Sequence, residues 1–263
     1  MAENELEIVT IQVKEFKVLI EALKEVLTEA NIIFDDHGMR ICALEKNRTL
    51  LVHLRLIAEH FEKYHCAKPF NVGIEMQELY KIMKALGNND TLTIFMKTSS
   101  SDNIYFRFTN AEMHKVVTVN MGTKDLDFED IQMPPINFDS TILMPSGEFQ
   151  KTCRYLKTFS NKIEITSVNN SINFSCKDSI DKLHVNISYN SDDTPNVGIS
   201  VNGDGTPIQG YYNLVHLDTL CKCAVLCDNI VLMLANNLPL TIVFKVGSLG
   251  ELKICLAPMI DDE

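Results

Sequence analysis

Phe16, Leu19, Ile20, Leu23 and Leu27 recur three and four residues apart, the spacing of an amphipathic helix, and predict one over about residues 13 to 30. Leu79, Met83 and Leu86 predict a second over about 76 to 86. The stretch MPSGEFQKTCRYLKTF, residues 144 to 159, carries Phe149, Cys153 and Leu156 on one side, and Pro145 and Ser146 suit the first turn and its cap. A fourth helix is expected over about 214 to 224, burying Leu217, Leu220, Cys221 and Ala224. Elsewhere the period falls to two. VVTVNM (116–121), HVNISY (184–189) and LTIVFKV (240–246) are rich in β-branched residues and read as strands, separated by turn signals such as HGM, GNND and NGDG.

The two halves read alike. A shift of 133 lays Phe16 on Phe149, Leu23 on Leu156, Lys24 on Lys157 and MRICA (39–43) on INFSC (172–176). With the offset grown to 138, Leu79 falls on Leu217, Lys84 on Lys222 and DTLTIF (90–95) on DNIVLM (228–233). Between the halves lies TKDLDFEDIQMPPIN (123–137), acidic, ending in a double proline and without periodicity, which reads as an extended linker. The expected organisation is a domain at 1–122, a connector at 123–137 and a second domain at 138–263. The fold class is α+β: two similar domains, each with helices on one face of antiparallel sheets.

Length and composition agree with this reading. A chain of 263 residues suits one large domain or two of roughly 130. With 46% hydrophobic and 22% charged residues it can bury a core, so global disorder is not expected. No apolar run reaches a membrane span, and the MAENELEIVT start lacks a basic region followed by an apolar one, so the expectation is a soluble intracellular protein. Eight cysteines scattered among apolar residues read as reduced core hydrophobes. CKCAVLC (221–227) has no CxxC pair and no second ligand cluster, so no metal is expected there.

Charge changes the picture more. The chain holds 24 Lys and Arg against 35 Asp and Glu, a formal charge of −11. Yet every predicted helix shows cations opposite its apolar stripe: Lys14, Lys17 and Lys24; Lys81 and Lys84; Lys151, Arg154 and Lys157; and Lys222. The acids gather elsewhere, in DLDFED (125–130), SDD (191–193) and the final DDE. One lysine on an outer helix face is ordinary, but segregation of sign over four helices points to a polyanion. Aromatics are not interleaved and Trp is absent, so contact with a nucleic-acid backbone is expected rather than base stacking.

MPSGEF (144–149), EALKEVLTEA (21–30), KIMKALGNND (81–90) and LKICLAPMIDDE (252–263) resemble the proliferating cell nuclear antigen family of sliding DNA clamps. The resemblance covers essentially the whole chain, in order. It implies a non-enzymatic homotrimeric ring without cofactors. Helices line a hole for duplex DNA, and sheets form the outer wall. Such a ring serves as a polymerase processivity factor in DNA replication and repair. By match to the family's channel positions, Lys17, Lys24, Lys81, Lys84, Lys151, Arg154 and Lys222 would face DNA, with Lys14 and Lys157 added from the helical wheel. The family's partner-peptide site implies Leu44, Thr49, Ile131, Met133, Pro134, Pro239, Ala257, Pro258 and Ile260. Implied partners are DNA polymerase, clamp loader, flap nuclease and ligase. Subunit contacts would use edge strands near 113–121 and 182–189. The implied location is the nucleus, or a cytoplasmic replication site for a viral member.

Departures from the family pattern point to a viral or divergent version. Val18 and Val215 stand at usually basic positions, Cys255 at a common tyrosine, and Asn169 at the family's best-known modification-accepting lysine. An alternative within the family is a subunit of a heterotrimeric or checkpoint-type clamp. A remote alternative is a Mg-dependent nuclease using DLDFED as a carboxylate cluster. Against it stand the absence of a P-loop, GxSxG, HExxH or deaminase signature and the reading of that run as a solvated linker.

Overall fold

The structure is a computed structural model that describes residues 4–98, 100–127, 131, 137–177, 183–202 and 206–259. Contacts divide the chain into two units, one of residues 1–46, 52–131 and 245–252, the other of 47–51, 132–244 and 253–263.

The first half runs β1 (Asn4–Thr10), α1 (Val13–Val26), β2 (Glu29–Asp35), β3 (Gly38–Leu44), β4 (Leu50–Ile57), β5 (Lys63–Cys66), β6 (Phe70–Glu75), α2 (Met76–Met83), β7 (Thr91–Lys97), β8 (Ser100–Asn110) and β9 (Lys115–Gly122). The second half repeats it: β10 (Ser140–Pro145), α3 (Ser146–Lys157), β11 (Lys162–Val168), β12 (Ser171–Lys177), β13 (His184–Asn190), β14 (Gly198–Val201), β15 (Ile208–Asn213), α4 (Leu214–Leu220), β16 (Asn229–Leu234), β17 (Leu240–Val246) and β18 (Gly250–Leu256). The strand order β5-β1-β7-β8-β9 recurs as β14-β10-β16-β17-β18, and β4-β3-β2-β6 recurs as β13-β12-β11-β15. The weak sequence repeat is therefore a duplicated topology.

Apolar ladders hold each sheet. Ile8 faces Ile94, Ile94 faces Phe106, and Phe106 faces Val119 across β1, β7, β8 and β9. In the second unit Ile165 faces Phe174 and Phe174 faces Ile187. Such cross-strand pairs are the unit of sheet stabilisation. The helices bury the predicted stripes: Phe16, Leu19, Ile20 and Leu23 on α1, and Phe149, Cys153 and Leu156 on α3, are all within 1% of complete burial.

Three helix boundaries differ from the sequence expectation. α1 stops at Val26 and does not reach residue 30, because EANIIFD (29–35) alternates in burial and pairs with both β3 and β6. α2 ends at Met83, and Leu86 is buried in a tightened turn whose amide bonds Met83 O at 3.2 Å. α4 ends at Leu220 and continues as a 3-10 turn, Cys221–Val225, in which Ala224 is only half-buried. Ser146 does not cap α3. Its hydroxyl, 2% exposed as a residue, donates to Cys227 O at 2.6 Å and ties the helix start to the segment before β16.

Candidate nucleic-acid interface

In the first unit α1 and α2 lie against each other, and their cations fall into two groups. Lys14, Lys81 and Lys84 are exposed. Lys17 and Lys24 are held between the helices. Lys17 Nζ donates to Leu86 O at 2.7 Å, at the end of the α2 turn. Lys24 pairs with Glu25 and lies 4.4 Å over the ring of Tyr80, so its side chain is only 14% exposed. The Glu25 hydrogen bond raises the Lys24 pKa above its ordinary value, so Lys24 is a permanent cation. Lys84 Nζ lies 5.7 Å from the same ring, and Tyr80 Oη donates to Glu21 Oε1 at 3.4 Å.

In the second unit α3 packs on α4 and on the 3-10 turn, and Gln150 Nε2 donates to Cys221 O at 2.9 Å. Lys151 and Arg154 are exposed on α3, and Lys222 is exposed on the 3-10 turn. Lys151 pairs with Glu148 at 2.7 Å, which raises its pKa. Asp218 of α4 takes Lys157 at 2.5 Å and stands 4.0 Å from Arg154 Nε. No acid interrupts residues 151 to 157 in sequence, so this screening carboxylate becomes visible only when α4 is laid on α3. Tyr80 and Asp218 are the residues that sequence reasoning missed, although a helical wheel places each on a cationic face. Val215, at a position expected to be basic, is 40% exposed.

The expected partner-peptide residues are distributed over both units. In the first, Cys42 Sγ donates to Ile131 O at 3.3 Å, and Leu44 is half-buried at the end of β3. In the second, Ala257 N donates to Thr49 O at 2.9 Å, and Thr49 Oγ1 lies 3.4 Å from His216 Nε2. Met259 N donates to Tyr211 O at 2.7 Å, so the tail is laid along β15. Pro258 and Met259 line a cleft of about 820 Å³ together with Tyr211, Tyr212, Asn236 and Leu238. Pro239 is half-buried beside it in sequence. Met133, Pro134 and Ile260 lie outside the described residues. Cys255 is buried, with its sulfur 3.3 Å from Thr241 Oγ1.

Cys221 and Cys223 are buried, and burial pushes the Cys223 thiol up to about 12, which disfavours the thiolate a metal requires. Among the described residues one trio of potential ligands comes together, Asp35, Asp36 and His37. It forms a hairpin turn, in which the Asp35 carboxylate accepts from His37 N, Gly38 N and Arg40 Nη2 at 2.8, 3.1 and 2.7 Å. The start of DLDFED, which reads as a solvated linker, is anchored at two points. Lys124 bridges to Gly73 of β6, and Asn31 Nδ2 donates to Asp127 O at 3.1 Å. Phe128, Glu129 and Asp130, the second half of DLDFED, lie outside the described residues.

A duplicated α+β chain that carries one cation-bearing helix pair per repeat has the make-up of a DNA clamp subunit. The family model of the proliferating cell nuclear antigen N-terminal domain matches residues 1–131, and that of its C-terminal domain matches 132–259. A proliferating cell nuclear antigen from Caenorhabditis elegans is 29% identical over 247 residues, covering 94% of each chain. The chain belongs to the proliferating cell nuclear antigen family, whose members are non-enzymatic sliding clamps.

Proposed function

We propose that the protein is a processivity clamp that encircles duplex DNA as a homotrimer and carries replication and repair enzymes along it. The carrying observation is the sorting of charge on the helices. In a chain of net charge −11, α1, α2 with its C-cap, α3 and the 3-10 turn after α4 show Lys14, Lys81, Lys84, Lys151, Arg154 and Lys222 to solvent. Phosphate attraction is independent of sequence and permits sliding, which is what a processivity factor requires. Lys17, Lys24 and Lys157 add to the field from partly buried positions.

Ring closure draws on the sheet edges. β9 and β13 are each outermost in their sheets, and Met113 beside β9, Val116 within it and Leu183 beside β13 are 72%, 60% and 42% exposed. The β9 and β13 edges are satisfied when copies join head to tail around a closed ring. The cleft beside the tail receives short peptides of polymerase, clamp loader, flap nuclease and ligase, in the nucleus or at a cytoplasmic replication site.

Reversal of Lys81, Lys84, Lys151 and Arg154 to Glu tests this reading. All four are exposed, so the fold should persist while stimulation of a polymerase on primed DNA is lost. Undiminished stimulation would refute the role. Light scattering supplies the assembly: chains of 29.7 kDa should give about 89 kDa, whereas a monomer at every dilution would favour a heterotrimeric clamp.

A further inference from the structure

The first unit gathers two ammonium groups from two helices around one aromatic ring. Lys24 on α1 and Lys84, which caps the C-terminal end of α2, lie 4.4 and 5.7 Å from the Tyr80 centroid, both within the range of a cation–π contact. Two like charges converging on one point repel each other. Here the negative face of the ring and the neighbouring Glu25 and Glu21 offset that repulsion. A lysine on an exposed helix samples many rotamers and loses them when it meets a phosphate, whereas a lysine already held against a ring loses fewer.

We infer that Tyr80 is a positioning residue for backbone-phosphate contact: its ring fixes the Lys24 and Lys84 ammonium groups so that one DNA phosphate meets two placed cations. The inference rests on the proposed DNA-clamp function and adds a residue to it. The ligand is a phosphodiester of duplex DNA. The ring does not stack on a base, since its face is occupied by the lysines. The hydroxyl contributes little, because its contact with Glu21 is long at 3.4 Å, so phenylalanine should serve as well as tyrosine.

The test uses the full chain with a linear duplex over a series of salt concentrations. Tyr80→Leu should weaken binding and lower the salt slope by about 1, the loss of one phosphate contact, while Tyr80→Phe restores the parent slope. A second measurement needs no variant. In the parent protein the ε-methylene NMR signals of Lys24 and Lys84 should sit upfield from the ring current and move together on DNA titration. The inference is overturned if Tyr80→Leu binds like the parent while the Glu quadruple variant does not, or if Lys81 signals respond to DNA and those of Lys24 and Lys84 stay still. If the quadruple variant also binds like the parent, the clamp reading falls and this inference with it.

Discussion

Lys157 and Asp218 meet across the α3–α4 pair, with Nζ 2.5 Å from Oδ2, and the same carboxylate stands 4.0 Å from Arg154 Nε. One acid thus engages two of the three cations of α3, on a face proposed to meet DNA. A half-exposed ion pair adds only about 0–1 kcal/mol to stability. Asp218→Asn should therefore leave Tm nearly unchanged. It should free two cations, so duplex affinity at low salt should rise, and the slope of affinity against salt should steepen by up to about 2. Fluorescence anisotropy over a salt series measures both. An unchanged slope would mean that Lys157 and Arg154 do not reach phosphates.

The architecture was largely legible in the sequence, and the reason is periodicity. Stripes such as Phe16–Leu19–Ile20–Leu23 and alternations such as LTIVFKV follow from burial of one face, and burial is what the structure confirms. The repeat was legible because equivalent core positions in the two halves face equivalent neighbours. What failed to show was set by contacts far along the chain. The end of α1 is decided by β3 and β6, not by the propensity of residues 27 to 30. At the candidate site the cations were legible one by one, since lysines on an outer face follow from the helical wheel. Their partners were not: Asp218 lies 61 residues from Lys157, and Tyr80 lies on a different helix from Lys24. A single sequence gives the charge of a face, while pairing across two helices decides how much of that charge is free.

Ser146 supplies a second case in which position misled. At a helix start a serine normally caps, and Asp would replace it well. Here its hydroxyl is turned inward to Cys227 O at 2.6 Å. Ser146→Ala should remove this hydrogen bond and cost about 1 kcal/mol. Ser146→Asp should cost more than Ala, because it places a carboxylate against a carbonyl oxygen in a buried position. Thermal unfolding of the two variants decides the matter, and rescue by Asp would restore the capping role.

Gly73 governs how the connector leaves the first unit. Its carbonyl accepts Lys124 N at 2.8 Å, and a Cβ at this position would stand 2.3 Å from Lys124 O and 2.8 Å from Leu126 Cγ. Lys124 is further drawn to Glu75 and Glu29 at 3.1 and 3.4 Å. Gly73→Ala should push residues 124 to 126 off β6 while the apolar ladders stay intact. Loss of about 1.4 kcal/mol of local anchoring corresponds to about a tenfold rise in the open population, and trypsin cleavage after Lys124 should accelerate by a similar factor. Unchanged cleavage would mean that the bridge does not hold the connector.

Asp90 gives the molecule a defined response to acid. Its carboxylate closes the turn after α2, accepting Gly87 N at 2.7 Å and Asn110 Nδ2 at 2.8 Å. The Gly87 amide, and after it the Asn110 side chain, hold its pKa below the ordinary 3.8. A depressed pKa means that the folded state favours the ionised form. The contribution is therefore complete above pH 3.8 and lost as pH falls through the lower folded value. The site is mostly solvated, which discounts the contribution to about 1 kcal/mol at neutral pH. Asp90→Ala should then lower Tm by about 2–4 °C at pH 7, and the gap from the parent should close as pH drops below 3.8. A gap that stays constant with pH would assign the effect to the shape of the turn rather than to the carboxylate charge.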